Sequence, residues 1–234
     1  MSRSMEWDVD AAVAALKKLR SSRVRDGMAR FALPSDHALG VSVPDVRALA
    51  KRIGPDHALA LALWKSGIYE ARMLTAFIAE PERITPALMD RWCRDFDSWG
   101  ICDALCFHLF DRTPHAWTKI AQWSDDPREF VKRAAFAVLA GLAVHDKTAP
   151  DEAFVRTFRF IERAASDDRN FVKKAVSWAL RGIGKRNGEL NSAAVELARR
   201  LSAASDAAPR WVGRDALREL TSAAVLRRLQ ARRQ

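Results

Sequence analysis

The sequence contains no run of about 18 uncharged apolar residues, so no membrane-spanning helix is expected. It has no alternating β-branched run bounded by hairpin turn signals, which argues against a sheet-based fold. Cysteines number three, Cys93, Cys102 and Cys106, an odd count within one stretch. That points to a reducing cytoplasm with free thiols. Small buried hydrophobes are one reading of these thiols. A zinc site shared with His108 is another, but the paired-knuckle spacing such sites use is missing. The five histidines form no nucleophile–base arrangement, and there is neither a glycine-rich phosphate loop nor a metal-binding motif. The N-terminal MSRSMEWDVDAAVAALKKLR lacks the basic and apolar regions of a signal peptide. Its Glu6, Asp8 and Asp10 argue against a transit peptide. Low-complexity tracts and linker-length loops are both missing, so a single domain over 1–234 is expected.

What is present is helical. Ala, Leu, Arg, Lys and Glu dominate, all good helix formers. Apolar residues recur three and four apart: Val13, Leu16 and Leu19; Val46, Leu49 and Ile53; Val195, Leu197 and Leu201. Thr85-Pro86, Val43-Pro44-Asp45 and Ala149-Pro150-Asp151 read as helix starts, with proline in the first turn. Ser124-Asp125-Asp126-Pro127 and Ser166-Asp167-Asp168 read as polar loops, and Gly54-Pro55 and Asn187-Gly188 as stops. The basic residues after Val225 are expected to fray. Lys and Arg total 39 against 29 acidic residues, a net charge of +10, which raises the expectation of a polyanionic partner.

Two segments are visibly alike, SDDPREFVKRAAFAVLAGLA and SDDRNFVKKAVSWALRGIG. Phe130-Val131-Lys132-Arg133-Ala134 matches Phe171-Val172-Lys173-Lys174-Ala175, and Leu139 and Gly141 match Leu180 and Gly182. A third copy begins at Trp211-Val212-Gly213-Arg214. The aromatics stand 41 and 40 residues apart. Weaker copies start at Tyr69-Glu70-Ala71-Arg72 and around Trp99. A period of 40 with two helices per unit is the HEAT-like class, which predicts an all-α superhelical solenoid with a concave face. Arg72, Lys132, Arg133, Lys173, Lys174, Arg181 and Arg214 recur at equivalent places. Equivalent places in a solenoid share a face, and a row of cations there would track phosphates along a duplex. Singly, each is also what a solvated helix end carries.

Asp97-Ser98-Trp99-Gly100-Ile101-Cys102-Asp103 is the most specific segment. Trp99 and Asp103 are four apart, hence one turn apart on one helix face. A carboxylate among cations that bind phosphate needs a reason. Either it pairs with a cation such as Arg133 or caps a helix, or it stabilises positive charge on a sugar as a glycosidic bond breaks and orients the attacking water. Trp178 stands where the preceding repeat has Ala137, so the repeat core does not require it. It is either one more core tryptophan or an aromatic wall for a sugar or base.

These segments resemble the AlkD-type DNA alkylation repair proteins, HEAT-like repeat DNA glycosylases of bacteria. The likeness runs from Leu39-Gly40-Val41-Ser42-Val43-Pro44-Asp45-Val46-Arg47 through Tyr69-Glu70-Ala71-Arg72-Met73 to Asp215-Ala216-Leu217-Arg218-Glu219-Leu220. Its most diagnostic parts are the stretches around Trp99–Asp103, Phe130–Ala134 and Phe171–Arg181. The resemblance implies removal of positively charged N3- and N7-alkylated purines from duplex DNA, leaving an abasic site. It implies a monofunctional enzyme that needs no metal or cofactor, works as a monomer in the bacterial cytoplasm with the nucleoid, and grips the backbone around the lesion. By the same resemblance Asp103 stabilises the sugar cation and places water, Trp99 and Trp178 pack on the deoxyribose, and Arg133 holds Asp103 and a phosphate. Arg181, Lys173 and Lys174 grip the backbone, with Lys132, Arg72 and Arg214 on the same row. The alternatives are a non-catalytic HEAT-like protein that binds damaged or branched DNA, and a protein–protein scaffold, the latter disfavoured by the basic row.

Overall fold

The computed structural model describes residues 7–231, and Glu6 and the basic end at 232–234 lie outside them. Among the described residues the regular structure is entirely helical. Two compact units divide at Thr113 and Pro114.

The first unit holds α1 (Val9–Lys18), α2 (Ser22–Met28), α3 (Val43–Ile53), α4 (His57–Lys65), α5 (Tyr69–Ile78), α6 (Pro86–Arg94) and α7 (Trp99–His108). The starts follow local chemistry. Ser42 and Thr85 accept hydrogen bonds from the backbone N–H groups of Asp45 and Leu88, with Pro44 and Pro86 in the first turns. Gly54 ends α3 at φ 81°, a conformation that disfavours any side chain. Helix α5 packs against α3, α4 and α7. Beneath them lies an aromatic cluster in which Trp64 stacks on Trp92 with centroids 4.8 Å apart, and Phe96 and Phe110 close the edges. Cys93, Cys102 and Cys106 are all buried, and none of them is in a disulfide. Burial, then the hydrogen bond with Cys102, pushes the Cys106 thiol well above its usual range.

Helices α8 (Ala116–Trp123), α9 (Glu129–His145), α10 (Asp151–Ala164), α11 (Asn170–Gly184), α12 (Gly188–Ser202), α13 (Ala207–Leu220) and α14 (Ala223–Ala231) make the second unit. The repeat organisation is explicit here. Pairs α8–α9, α10–α11 and α12–α13 pack within themselves, α9, α11 and α13 form one layer, and α10 and α12 form the other. Helix α9 is buried along nearly its whole length, from Val131 to Ala143. Gly182 permits the close approach of α11 to α9, with Ala143 and Ala140 immediately against it. Each full burial of a side chain such as Phe136 or Leu139 contributes roughly 1.5–3 kcal/mol.

The repeated loops share a clasp that the sequence copies encode. Asp126 accepts from the backbone N–H, Nε and Nη2 of Arg128 at 2.9, 2.8 and 2.6 Å. In the next repeat Asp167 accepts from the same three groups of Arg169 at 3.2, 2.8 and 2.5 Å. Arg169 also donates to the carbonyl of Pro127, and Lys132 donates to Asp167 at 3.0 Å, so the two repeats are laced together. Two sequence expectations are corrected. Asn187-Gly188 is a start, not a stop, because the Asn187 side chain caps α12 by accepting from the Leu190 N–H. The residues after Val225 continue as helix to Ala231, anchored by buried Leu229.

Candidate nucleic-acid interface

Trp99 opens α7 and Asp103 follows one turn later on the same face; both are half-buried. The Trp99 indole Nε1 donates to the carbonyl of Phe31 at 2.8 Å. Phe31 itself is 64% exposed, the most exposed large hydrophobic residue of those described. It ends a short 3-10 turn, Ala29–Phe31, that reverses through Ala32 at φ 53°. The backbone of the residue that carries this solvent-facing ring is thereby tied to Trp99. Sequence reading missed Phe31 because exposure alone distinguishes it.

The segment carrying Phe31 is fixed from the other side by Glu70. This carboxylate is 1% exposed and accepts from the backbone N–H groups of Leu39, Gly40 and Val41 at 2.9, 2.7 and 3.1 Å. Its neighbour Tyr69 reaches α7, where its hydroxyl occupies the space a side chain at position 100 would need; that is why Gly100 follows Trp99. Burial raises the Tyr69 pKa far above its ordinary value, and the negative charges of Glu70, Asp97 and Asp103 push it further the same way. Tyr69 therefore stays a neutral phenol within the field of Asp103. Arg72, one turn into α5, lays its guanidinium over the Trp64 ring, 5.0 Å from the centroid, and lines a small cleft with Tyr69 and Asp97.

In the second unit the row of cations divides by partner. Arg133 is only 6% exposed and donates to the Phe171 carbonyl at 2.6 Å, fixing the start of α11. Lys132 is paired with Asp167. Arg181 is paired with Glu219 and lies 3.5 Å from Asp215, while Lys185 shares Glu219 at 2.6 Å. Burial alone would raise the Glu219 pKa, but the hydrogen bonds from Lys185 and Arg181 hold it below the ordinary value. Lys173 lies over the Trp211 ring at 5.5 Å. Lys174 and Arg214 face solvent, and Arg214 edges a hollow of ≈ 320 Å³ with Trp211, Arg210 and Arg218. Trp178 is half-buried and forms a wall of a larger hollow of ≈ 530 Å³. The space the repeat leaves at Ala137 is thus filled at Trp178 by a ring that reaches an open cavity.

A family model described as DNA alkylation repair enzyme matches residues 12–220. None of the curated proteins matches the chain. Among solved structures, one aligns with a TM-score of 0.74 at 18% identity, covering 82% of this chain and 83% of its own. It is described as a new family of proteins related to the HEAT-like repeat DNA glycosylases with affinity for branched DNA structures. A designed armadillo repeat protein aligns over 93% of this chain and 96% of its own at 15% identity, with a TM-score of 0.41. The fold is accordingly that of the HEAT-like helical repeats, as the 40-residue period predicts.

Proposed function

The chain belongs to the DNA alkylation repair enzyme family, and from that premise we propose that it is a monofunctional DNA glycosylase acting on N3- and N7-alkylated purines in duplex DNA. The observation that carries the proposal is the Trp99–Asp103 pair, an indole and a carboxylate one turn apart on α7, in a protein of net charge +10. An alkylated purine of this class carries positive charge in its ring, so it departs with the electrons of the N-glycosidic bond without prior protonation. Positive charge then develops on the deoxyribose. The Asp103 carboxylate stabilises that charge, orients the water that adds at C1′ and takes the proton this water gives up, later passing it to solvent, which leaves an abasic site and the free base. Trp99, Phe31 and Trp178 offer aromatic surfaces for sugar packing. Lys174 and Arg214, open to solvent, contribute to backbone binding, as do Lys173 and Arg72 from above their tryptophan rings. Arg133 and Lys132 act by positioning α11, and Arg181 binds phosphate in competition with Asp215 and Glu219.

A second reading, binding of branched or damaged DNA without excision, draws on the fold neighbour with affinity for branched DNA structures. One experiment separates the two: single-turnover release of 7-methylguanine and 3-methyladenine from methylated duplex DNA in metal-free buffer. Wild type releases both, and Asp103→Asn slows release by about 10²–10³-fold, the range for loss of one preorganised electrostatic group. DNA affinity of the variant is unchanged or higher, because a charge that repels phosphate is gone. Full activity in Asp103→Asn would overturn the role given to that carboxylate. Salt-sensitive DNA binding without release by wild type would favour the second reading.

A further inference from the structure

The family match ends at Leu220, and α14 lies beyond it. Arg228 of α14 nevertheless lines the same ≈ 530 Å³ hollow as Trp178, together with Lys147 and Lys185. Lys185 is already neutralised by Glu219. Lys147 and Arg228 are exposed and have no carboxylate partner among the described residues. Both are presented by anchored backbone. The turn bearing Lys147 is held on one side by Asp146, whose carboxylate accepts from the N–H groups of Thr148 and Ala149 and from the Thr148 hydroxyl. On the other side Arg186 donates to the carbonyls of Asp146 and Ala149 while stacking 4.1 Å from the centre of the Phe154 ring. Arg228 is followed by Leu229, which buries its side chain and fixes α14 in place.

We infer that Lys147 and Arg228 form a phosphate subsite beside Trp178, binding a backbone phosphodiester next to a sugar that rests on the indole. Two fixed cations that lack carboxylates, set around a cavity with an aromatic wall, match the alternation of anion and ring along a nucleic-acid strand. Helix α14 is thereby part of the DNA-binding surface. This inference rests on the reading of the chain as a DNA-binding repair enzyme.

The test is the salt dependence of binding to a short undamaged duplex without terminal phosphates, followed by fluorescence anisotropy. Wild type is compared with Lys147→Gln, Arg228→Gln, the double variant, and Arg156→Gln, an exposed cation on α10. Each of the first two is expected to reduce the slope of log K against log salt by about 0.9 and to weaken binding about threefold to tenfold at moderate salt. The double variant loses both increments, and Arg156→Gln matches wild type. A double variant with the wild-type slope overturns the subsite, as does a wild type whose DNA binding is insensitive to salt. Base release is measured alongside with enzyme in excess. If the slopes fall as expected while wild type releases no base, the subsite stands and the glycosylase reading falls.

Discussion

Replacing Glu70 tests whether a single buried carboxylate organises the segment that carries Phe31. Glu70 Oε1 accepts from Gly40 and Val41, and Oε2 accepts from Leu39. In Glu70→Gln the amide oxygen can keep the Gly40 and Val41 bonds, but the NH2 group then faces the Leu39 N–H, donor against donor. The loss is one hydrogen bond and the charge assistance of the other two, about 2–3 kcal/mol. In Glu70→Ala three backbone donors are left without a partner, two of them in buried surroundings, and the cost rises to about 3–5 kcal/mol. Native-state hydrogen exchange reads this locally. Protection of the Leu39, Gly40 and Val41 amides should fall by about 10²-fold in Glu70→Gln, and further in Glu70→Ala, at a pH where intrinsic exchange rates match. Amides of α11 should be unchanged. Wild-type protection at the three amides in Glu70→Gln would refute the reasoning, since geometry without charge would then suffice.

Phe31→Ala should leave stability within about 0.5 kcal/mol of wild type, because the ring is exposed, yet slow base release by about tenfold; equal single-turnover rates would remove Phe31 from the site. Gly100→Ala drives a methyl into the Tyr69 hydroxyl and should cost about 1–3 kcal/mol in urea unfolding. Tyr69→Phe in the same chain should recover part of that cost, and additive effects in the double-mutant cycle would contradict the clash. Asp167 is held far below the usual carboxylate range, chiefly by hydrogen bonds from Arg169, with Lys132 adding to them against the cost of burial. Since its folded pKa is depressed, its contribution is complete above the unfolded value near 3.9 and is lost as pH falls towards the folded value. Asp167→Asn should therefore cost about 1–3 kcal/mol at neutral pH and show a shallower loss of urea stability below pH 4; parallel acid limbs would refute the assignment.

The repeat architecture was legible in the sequence because its signals are local or periodic. Apolar spacing of three and four marks helix faces, and the matched segments at Phe130 and Phe171 place equivalent helices a fixed distance apart. Even the Asp–Arg clasps lie two residues apart in the chain. What escaped was decided at long range or by one side chain. Asn187 reads as a breaker until its amide oxygen is seen to cap α12. The fixing of residues 39–41 by Glu70 spans about thirty residues and has no motif. Phe31 is singled out only by its exposure and by the hydrogen bond that its carbonyl receives from Trp99.

The cations show why a repeated pattern overstates what a repeated surface can offer. Lys132 and Lys173 occupy one repeat position, yet Lys132 meets Asp167 from the next loop while Lys173 meets the Trp211 ring. Arg133 and Lys174 occupy the following position, but Arg133 is buried on the Phe171 carbonyl and Lys174 is in solvent. In each case the residue supplied by the next repeat decides the fate of the charge, and a single copy does not contain it. Counterion release counts only cations that trade small ions for phosphate. Lys132 and Arg181 have already traded theirs for carboxylates within the protein. On the proposed reading, the seven cations of the sequence row should therefore not contribute equally to the salt sensitivity of DNA binding. Within the second unit, on the proposed reading, it should follow Lys173, Lys174 and Arg214 from the row, which meet a ring or solvent and not a carboxylate, and Lys147 and Arg228 from outside it.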